Sequence, residues 1–156
     1  MDDSSPDSKV VFRIVQDDGS VDVETPWATS LGDDLYRLEN SPFYAYGVSW
    51  LDIVRAPIDP DEERPVFSAV VEKSGHSTVR VIFDPPAQDG NESQAVLDQL
   101  VELGASFEGA SPSYMAIDIP PGVELSEICD TLTNKNIQWE HVDPTYEEIY
   151  GSPPNK

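Results

Sequence analysis

Apolar and polar residues alternate along the first half of this chain, and in much of the second half they fall at helical spacing. Val10-Val11-Phe12-Arg13-Ile14-Val15-Gln16 has the pattern of a strand. The Asp17-Asp18-Gly19-Ser20 turn then leads into Val21-Asp22-Val23-Glu24. This predicts a hairpin with Phe12, Ile14, Val21 and Val23 in the core. Thr25-Pro26-Trp27-Ala28 reads as a break, Leu31-Gly32-Asp33-Asp34 as a turn, and Leu35-Tyr36-Arg37-Leu38 as an alternating strand with Tyr36 and Leu38 on one face. Glu39-Asn40-Ser41-Pro42 is a second turn, since proline pushes its predecessor out of helix and Asn and Ser bond the local backbone. Gly47 to Ala56 has the look of a tight loop delivering a strand of a small β-barrel. Pro57–Pro65, rich in proline and acid, is a surface excursion.

Val66–Glu72 and Val79–Phe83 are two strand runs flanking the polar loop Lys73-Ser74-Gly75-His76-Ser77-Thr78. After them the period changes. Asn91, with Gln94 three residues on, opens a helix whose apolar positions Val96, Leu97, Leu100 and Leu103 run up to Gly104. Ser106 to Glu108 is a short strand or turn. Tyr114–Ile119 alternates with Met115, Ile117 and Ile119 inward, and Leu125, Ile128, Cys129 and Leu132 are the stripe of a second helix over Leu125–Asn134. Ile137–Val142 is a last strand with Ile137 and Trp139 inward. Residues 1–8 and 143–156 read as polar tails, with Tyr146, Ile149 and Tyr150 able to dock part of the second.

Composition changes the picture in one respect. The 156 residues hold 9 Lys+Arg against 30 Asp+Glu, a net charge of −21 spread along the whole chain. Such a field repels nucleic acid and anionic membrane surfaces and steers a basic protein or a cation toward the chain. The lone Cys129 excludes an internal disulfide framework and any cysteine-based metal motif. No apolar run reaches the roughly 18 residues that span a bilayer, and the acidic start is unlike a signal peptide. The expected location is the cytoplasm.

The densest group of chemically capable side chains is Ser74, His76, Ser77, Thr78 and Arg80. His76 with a serine and a distant acid such as Asp52 has the ingredients of a Ser-His-Asp hydrolase, but no Gly-x-Ser-x-Gly elbow supplies an oxyanion hole. The loop also reads as a tight turn whose hydroxyls satisfy backbone groups, with Gly75 at positive φ. Arg37 and Arg80, scarce positives on strands, pair with carboxylates such as Glu24, Glu39 or Asp52 in one reading. In the other, they converge with Asn40 and His76 to bind a small anion or carboxylate. His76 and His141 lack metal-ligand spacing, and Trp27, Trp50 and Trp139 lack the basic neighbours of a nucleic-acid stacking platform.

Glu24, Pro26-Trp27-Ala28, the Gly32–Arg37 turn and strand, Asn40-Ser41-Pro42-Phe43, Gly47 with Asp52-Ile53-Val54, and above all Ser74-Gly75-His76-Ser77-Thr78-Val79-Arg80 together resemble a bacterial family catalogued as domain of unknown function 4265. The likeness spans residues 10–142. Where members of that family often show a glycine in the turn before Asp52, this chain has Trp50-Leu51. The resemblance implies a fold and a bacterial source but no mechanism. The order of elements in the second half is also similar to ferredoxin-like modules, bacterial ribonuclease inhibitors among them.

The expected fold is α+β: an N-terminal antiparallel β-barrel-like subdomain over 9–83, continuous with a ferredoxin-like βαβαβ half over 79–142, the two sharing one core. The expected function is that of a non-enzymatic acidic binding protein without cofactor or metal, engaging a basic protein as an immunity protein or inhibitor of a toxin or nuclease. The alternative is a small-ligand site or cryptic enzyme using Arg37, Asn40, His76 and Arg80. Candidate binding residues are Glu24, Trp27, Arg37, Asn40, Asp52, Ser74, His76, Ser77, Thr78 and Arg80.

Overall fold

The strands at the start of the chain form along alternating runs, with residues that tolerate left-handed backbone at the turns between them. In the computed structural model, which describes residues 7–151, the chain divides into two compact units, Met1–Ser74 and Gly75–Lys156. The architecture is α+β, with mostly antiparallel sheets and a few helices.

The first unit contains β1 (Ser8–Lys9), β2 (Phe12–Val15), β3 (Val21–Glu24), β4 (Trp27–Gly32), β5 (Leu35–Leu38), β6 (Ile53–Arg55), β7 (Ile58–Asp59), β8 (Arg64–Pro65) and β9 (Ala69–Glu72). Five of them make an open sheet in the order β1-β4-β5-β6-β9, and β2-β3 and β7-β8 are separate two-stranded ribbons. There is no closed barrel, because β1 and β9 end the sheet as edges. Trp27–Gly32, expected as a break and a turn, is instead a strand paired with both β1 and β5. Pro26 precedes the paired segment, so its missing N–H costs the ladder nothing. The β4–β5 turn is made by Asp33 and Asp34, both at positive φ.

The β2–β3 hairpin corrects part of the expected core. Phe12 is buried and stacks on Phe67 at 4.6 Å between ring centroids. Val21 and Val23 are instead 51% and 52% exposed. Register explains it: Phe12 lies opposite Glu24, Ile14 opposite Asp22 and Val15 opposite Val21. Side chains alternate between faces, so the pairing that buries Phe12 turns Val15, Val21 and Val23 outward. The core of this unit is Val10, Phe12, Ala28, Leu38, Ala45, Val48, Val54 and Ala56.

The second unit runs β10 (Ser77–Ile82), α1 (Glu92–Glu102), β11 (Ser106–Ser111), β12 (Tyr114–Ile119), α2 (Leu125–Asn134), β13 (Gln138–Asp143) and α3 (Tyr146–Tyr150). Its sheet has the order β11-β12-β10-β13, all pairs antiparallel. Ser106 to Ser111 completes a hairpin with β12, so the unit is β-α-β-β-α-β with one strand more than expected. Val79 and Val81 of β10, with Phe83 just after it, pack with Val96, Leu97, Leu100, Ile117, Ile128 and Leu132. Each such side chain contributes about 1.5–3 kcal/mol by leaving water. Each unit thus has an apolar cluster of its own. Asn91 caps α1 by accepting from the Gln94 amide at 2.9 Å.

The segment read as a tail is partly ordered. β13 continues through Asp143, and α3 carries a capping box between Thr145 and Glu148. Its Tyr146 and Tyr150 surround His141, which meets Trp139 edge-on at 4.7 Å. Burial lowers the proton affinity of His141, and its Nδ1 is buried without a partner. The readings of 1–6 and 152–156 lie outside the described residues.

After α1, Gly104 adopts φ +112°, and a Cβ there would meet Val123 Cγ2 at 2.7 Å. Gly19 has φ +87° with nothing within 4 Å. Chemical unfolding of Gly104→Ala should therefore show a loss of about 2–3 kcal/mol, against about 1 kcal/mol for Gly19→Ala, where only the backbone penalty applies.

Candidate functional site

The candidate residues of the first unit are engaged with neighbouring backbone and side chains. Glu24, at the end of β3, accepts three successive amides, from Phe43 at 2.5 Å, Tyr44 at 3.0 Å and Ala45 at 2.9 Å. Consecutive N–H groups pointing one way form a concavity that suits an anion, and here the chain's own carboxylate fills it. Asn40 Oδ1 accepts from the Trp27 amide at 2.8 Å. The Trp27 indole is 46% exposed, and Lys9 Nζ lies 4.5 Å from its ring centroid in a cation–π contact. Arg37 Nε donates to Glu39 at 2.9 Å, and Thr29 Oγ1 donates to the same oxygen at 2.8 Å.

Asp52 is fully buried, yet well supplied with donors. It accepts from the Ser49 amide at 2.9 Å, the Ser74 amide at 2.7 Å and Lys73 Nζ at 2.7 Å. Ser74 Oγ donates to the Trp50 carbonyl at 2.8 Å. A carboxylate so supplied holds the loop before β6 against the end of β9, and removing its cation would leave a costly buried charge. Between them Leu51 takes φ +71°, the left-handed conformation a glycine would adopt freely.

In the second unit the acid that holds His76 is Asp118 of β12, a residue the sequence reading passed over. His76 Nδ1 lies 2.8 and 3.0 Å from the two Asp118 oxygens, and Ser106 Oγ donates to one of them at 3.4 Å. Both side chains are largely enclosed, at 12% and 6% exposure. Burial raises the proton affinity of Asp118, with the His76 hydrogen bond and charge opposing. With Asp118 ionised, the imidazole carries its proton on Nδ1, the tautomer of a base that acts through Nε2. Ser77 and Thr78 lie on β10 opposite Ile119 and Asp118.

Arg80, in the middle of β10, is 2% exposed, and its Nε donates to Glu140 of β13 at 3.0 Å. A cavity of about 180 Å³ is lined there by Arg80, Ile82, Tyr114, Gln138, Trp139 and Glu140. Of the four residues expected to converge on an anion, Arg37 and Asn40 belong to the first unit and His76 and Arg80 to the second. Both arginines carry carboxylate partners. Among the described residues no group of three or more His, Cys, Asp or Glu side chains could hold a metal ion. Burial pushes the Cys129 thiol up to about 11, which makes it a poor nucleophile at neutral pH.

Asp118, Ser106, Lys73 and Glu140 engage the candidate residues or their partners without being candidates themselves. The available signal was Asp118 itself, the one charged residue in Tyr114–Ile119. Opposite the helix-facing residues of a strand, an acid reads as solvated, whereas this one is 4% exposed.

The family model Domain of unknown function (DUF4265) matches residues 24–141, a span containing every candidate residue named above. The chain belongs to this family. Its fold is shared with a crystal structure described as a hypothetical protein from Neisseria gonorrhoeae, at a TM-score of 0.75 and 14% identity, over 89% of this chain and 96% of that one. No curated protein matches the chain. Among the described residues of this DUF4265 member, no helix is long and apolar enough to cross a membrane.

Asp118 provides a test of the site. Its folded-state proton affinity exceeds that of the unfolded chain, so between the usual carboxylate value and the raised native one each rise in pH costs stability. Below that window the carboxyl is neutral in both states and the cost is absent. Urea unfolding followed upward in pH from the usual carboxylate value should therefore show the wild type losing stability relative to Asp118→Asn. The opposite slope would mean that pairing with His76 outweighs burial.

Proposed function

We propose that this chain is a cytoplasmic, non-enzymatic binding protein whose second unit, a ferredoxin-like module, docks on a basic protein through its acidic helices. Inhibitors and immunity proteins of basic toxins and nucleases are the class it fits. The observation that carries this reading is the state of the carboxylates on α1 and α2. Glu92, Asp98, Glu102, Glu124, Glu127 and Asp130 are all exposed, and among the described residues none of them is in an ion pair. Neither helix has a basic residue in its last turn, where cations are stabilising. Of the Lys and Arg residues described in this unit, Arg80 pairs with Glu140 and Lys135 is exposed beyond the end of α2. An unneutralised surface of one sign repels itself and is relieved by a partner of the other.

The reading predicts that immobilised protein captures a basic protein from an extract of the source organism and releases it at about 0.5 M salt, where the Debye length shrinks below the spacing of surface charges. Neutralising the six helix carboxylates to Gln and Asn should weaken capture about tenfold or more while leaving the melting transition in place. A captured partner that is not basic, or binding indifferent to salt, defeats the mechanism.

One observation favours a second reading, a small-molecule or hydrolytic site at His76. Asp118 holds the imidazole in one orientation through Nδ1. Cleavage of p-nitrophenyl esters or phosphodiesters that disappears in His76→Asn, with an unchanged melting temperature, would carry this reading. A rate no greater than that of buffer removes it.

A further inference from the structure

The outward face of the β2–β3 hairpin has no part in the helix-face reading, and its composition is unusual for a chain this acidic. Val15 is 70% exposed, Val21 51% and Val23 52%. Val15 lies directly opposite Val21 and Arg13 opposite Val23. The three valines are therefore contiguous on one face. Apolar side chains scattered singly over a surface are ordinary, whereas a clustered set in register marks a place where something docks.

Carboxylates surround this face, and the structure shows how some are held there. Arg13 hydrogen-bonds Glu62 and, at 3.4 Å, Asp59, which brings the Asp59–Glu63 loop beside the hairpin. That loop also carries Asp61 and Glu63. At the hairpin's other end are Asp17 and Asp18 of the turn, whereas Asp22, opposite Ile14, points to the other face. The cation on the face is thus taken up by acids and Arg64 reaches Glu62 as well, at 3.2 Å, while Asp61 and Glu63 are in no ion pair among the described residues, leaving an apolar strip with a negative rim. Ile58 of β7, next to Asp59, is 55% exposed as well.

We propose that this hairpin face is a second docking surface, and that its occupant is a basic protein segment in which apolar side chains alternate with Lys or Arg. The apolar positions cover Val15, Val21 and Val23, while the cations meet the rim. An acidic or purely apolar segment would be repelled or would leave the rim unmatched. A purely basic one would leave the valines in water. Burial of the valines supplies affinity, and the rim supplies orientation and rate.

Synthetic peptides with the repeats Lys-Val, Lys-Ser and Glu-Val, titrated against the whole chain by NMR, test the proposal. The Lys-Val peptide should bind and shift the amides of β2 and β3. Val15→Thr with Val21→Thr and Val23→Thr should weaken it about tenfold, as expected when apolar contact is replaced by hydroxyls. The melting temperature should hold, because all three side chains are already exposed. Neutralising the α1 and α2 carboxylates should leave this binding in place, which separates failure here from failure of the helix-face reading. Equal binding of Lys-Ser shows charge alone at work, and equal binding of Glu-Val shows apolar adhesion alone. Either result overturns the proposal, as does absence of Lys-Val binding. Concentration-dependent self-association abolished by the threonine variant would identify the occupant as a second copy and overturn it too.

Discussion

A charged side chain in the middle of a buried strand sets the terms for the second unit. Thr78, Val79, Arg80 and Val81 are all essentially inaccessible, and β10 is paired along both edges. The odd-numbered residues meet the helices and fill the apolar core. The even-numbered ones turn away from it and include an arginine, which does not lose its charge at any pH a protein survives. A buried guanidinium must be paired, and Glu140, in register on the neighbouring strand, meets it while keeping 44% of its own side chain in water. On the opposite edge, Asp118 faces Thr78 in register and holds His76, where the chain enters the strand. Two polar pairs thus flank one strand, each linking it to a different neighbour.

The acids of this chain divide into two populations with different physics. Glu24, Glu39, Asp52, Asp118 and Glu140 are each held by amides, hydroxyls or a cation, and they hold loops and strands in place. Among the described residues, those on α1 and α2 hold nothing beyond the Gln94 side chain on Asp98. The net charge of −21 thus includes carboxylates built into the fold and others left facing solvent. Only the second is available to a partner, and it weakens with salt where the first is shielded.

How much could be read in advance depended on range. The bounds of α2, the cap at Asn91 and the stop at Gly104 follow from residues within a few positions of one another. The hairpin was legible and its faces were not. Which side of β3 is buried depends on the register with β2, and a shift of one residue exchanges the two faces. Tyr146, Ile149 and Tyr150 showed that something could dock, whereas the helix they form is five residues long and rests on β13 through rings around His141.

The linear pattern alone determined the class of fold and most of its elements, because alternation, helical spacing, caps and turn residues act through neighbours. Tertiary structure decided which acid holds His76, which strand neutralises Arg80, and which valines stay in water. Those partners lie 42 and 60 residues apart in the pairs that matter most. Nothing local distinguishes Asp118 from any other acid on a strand. It acquires its role when β12 is laid beside β10 in one register, closing it off from water at the position where His76 can reach it.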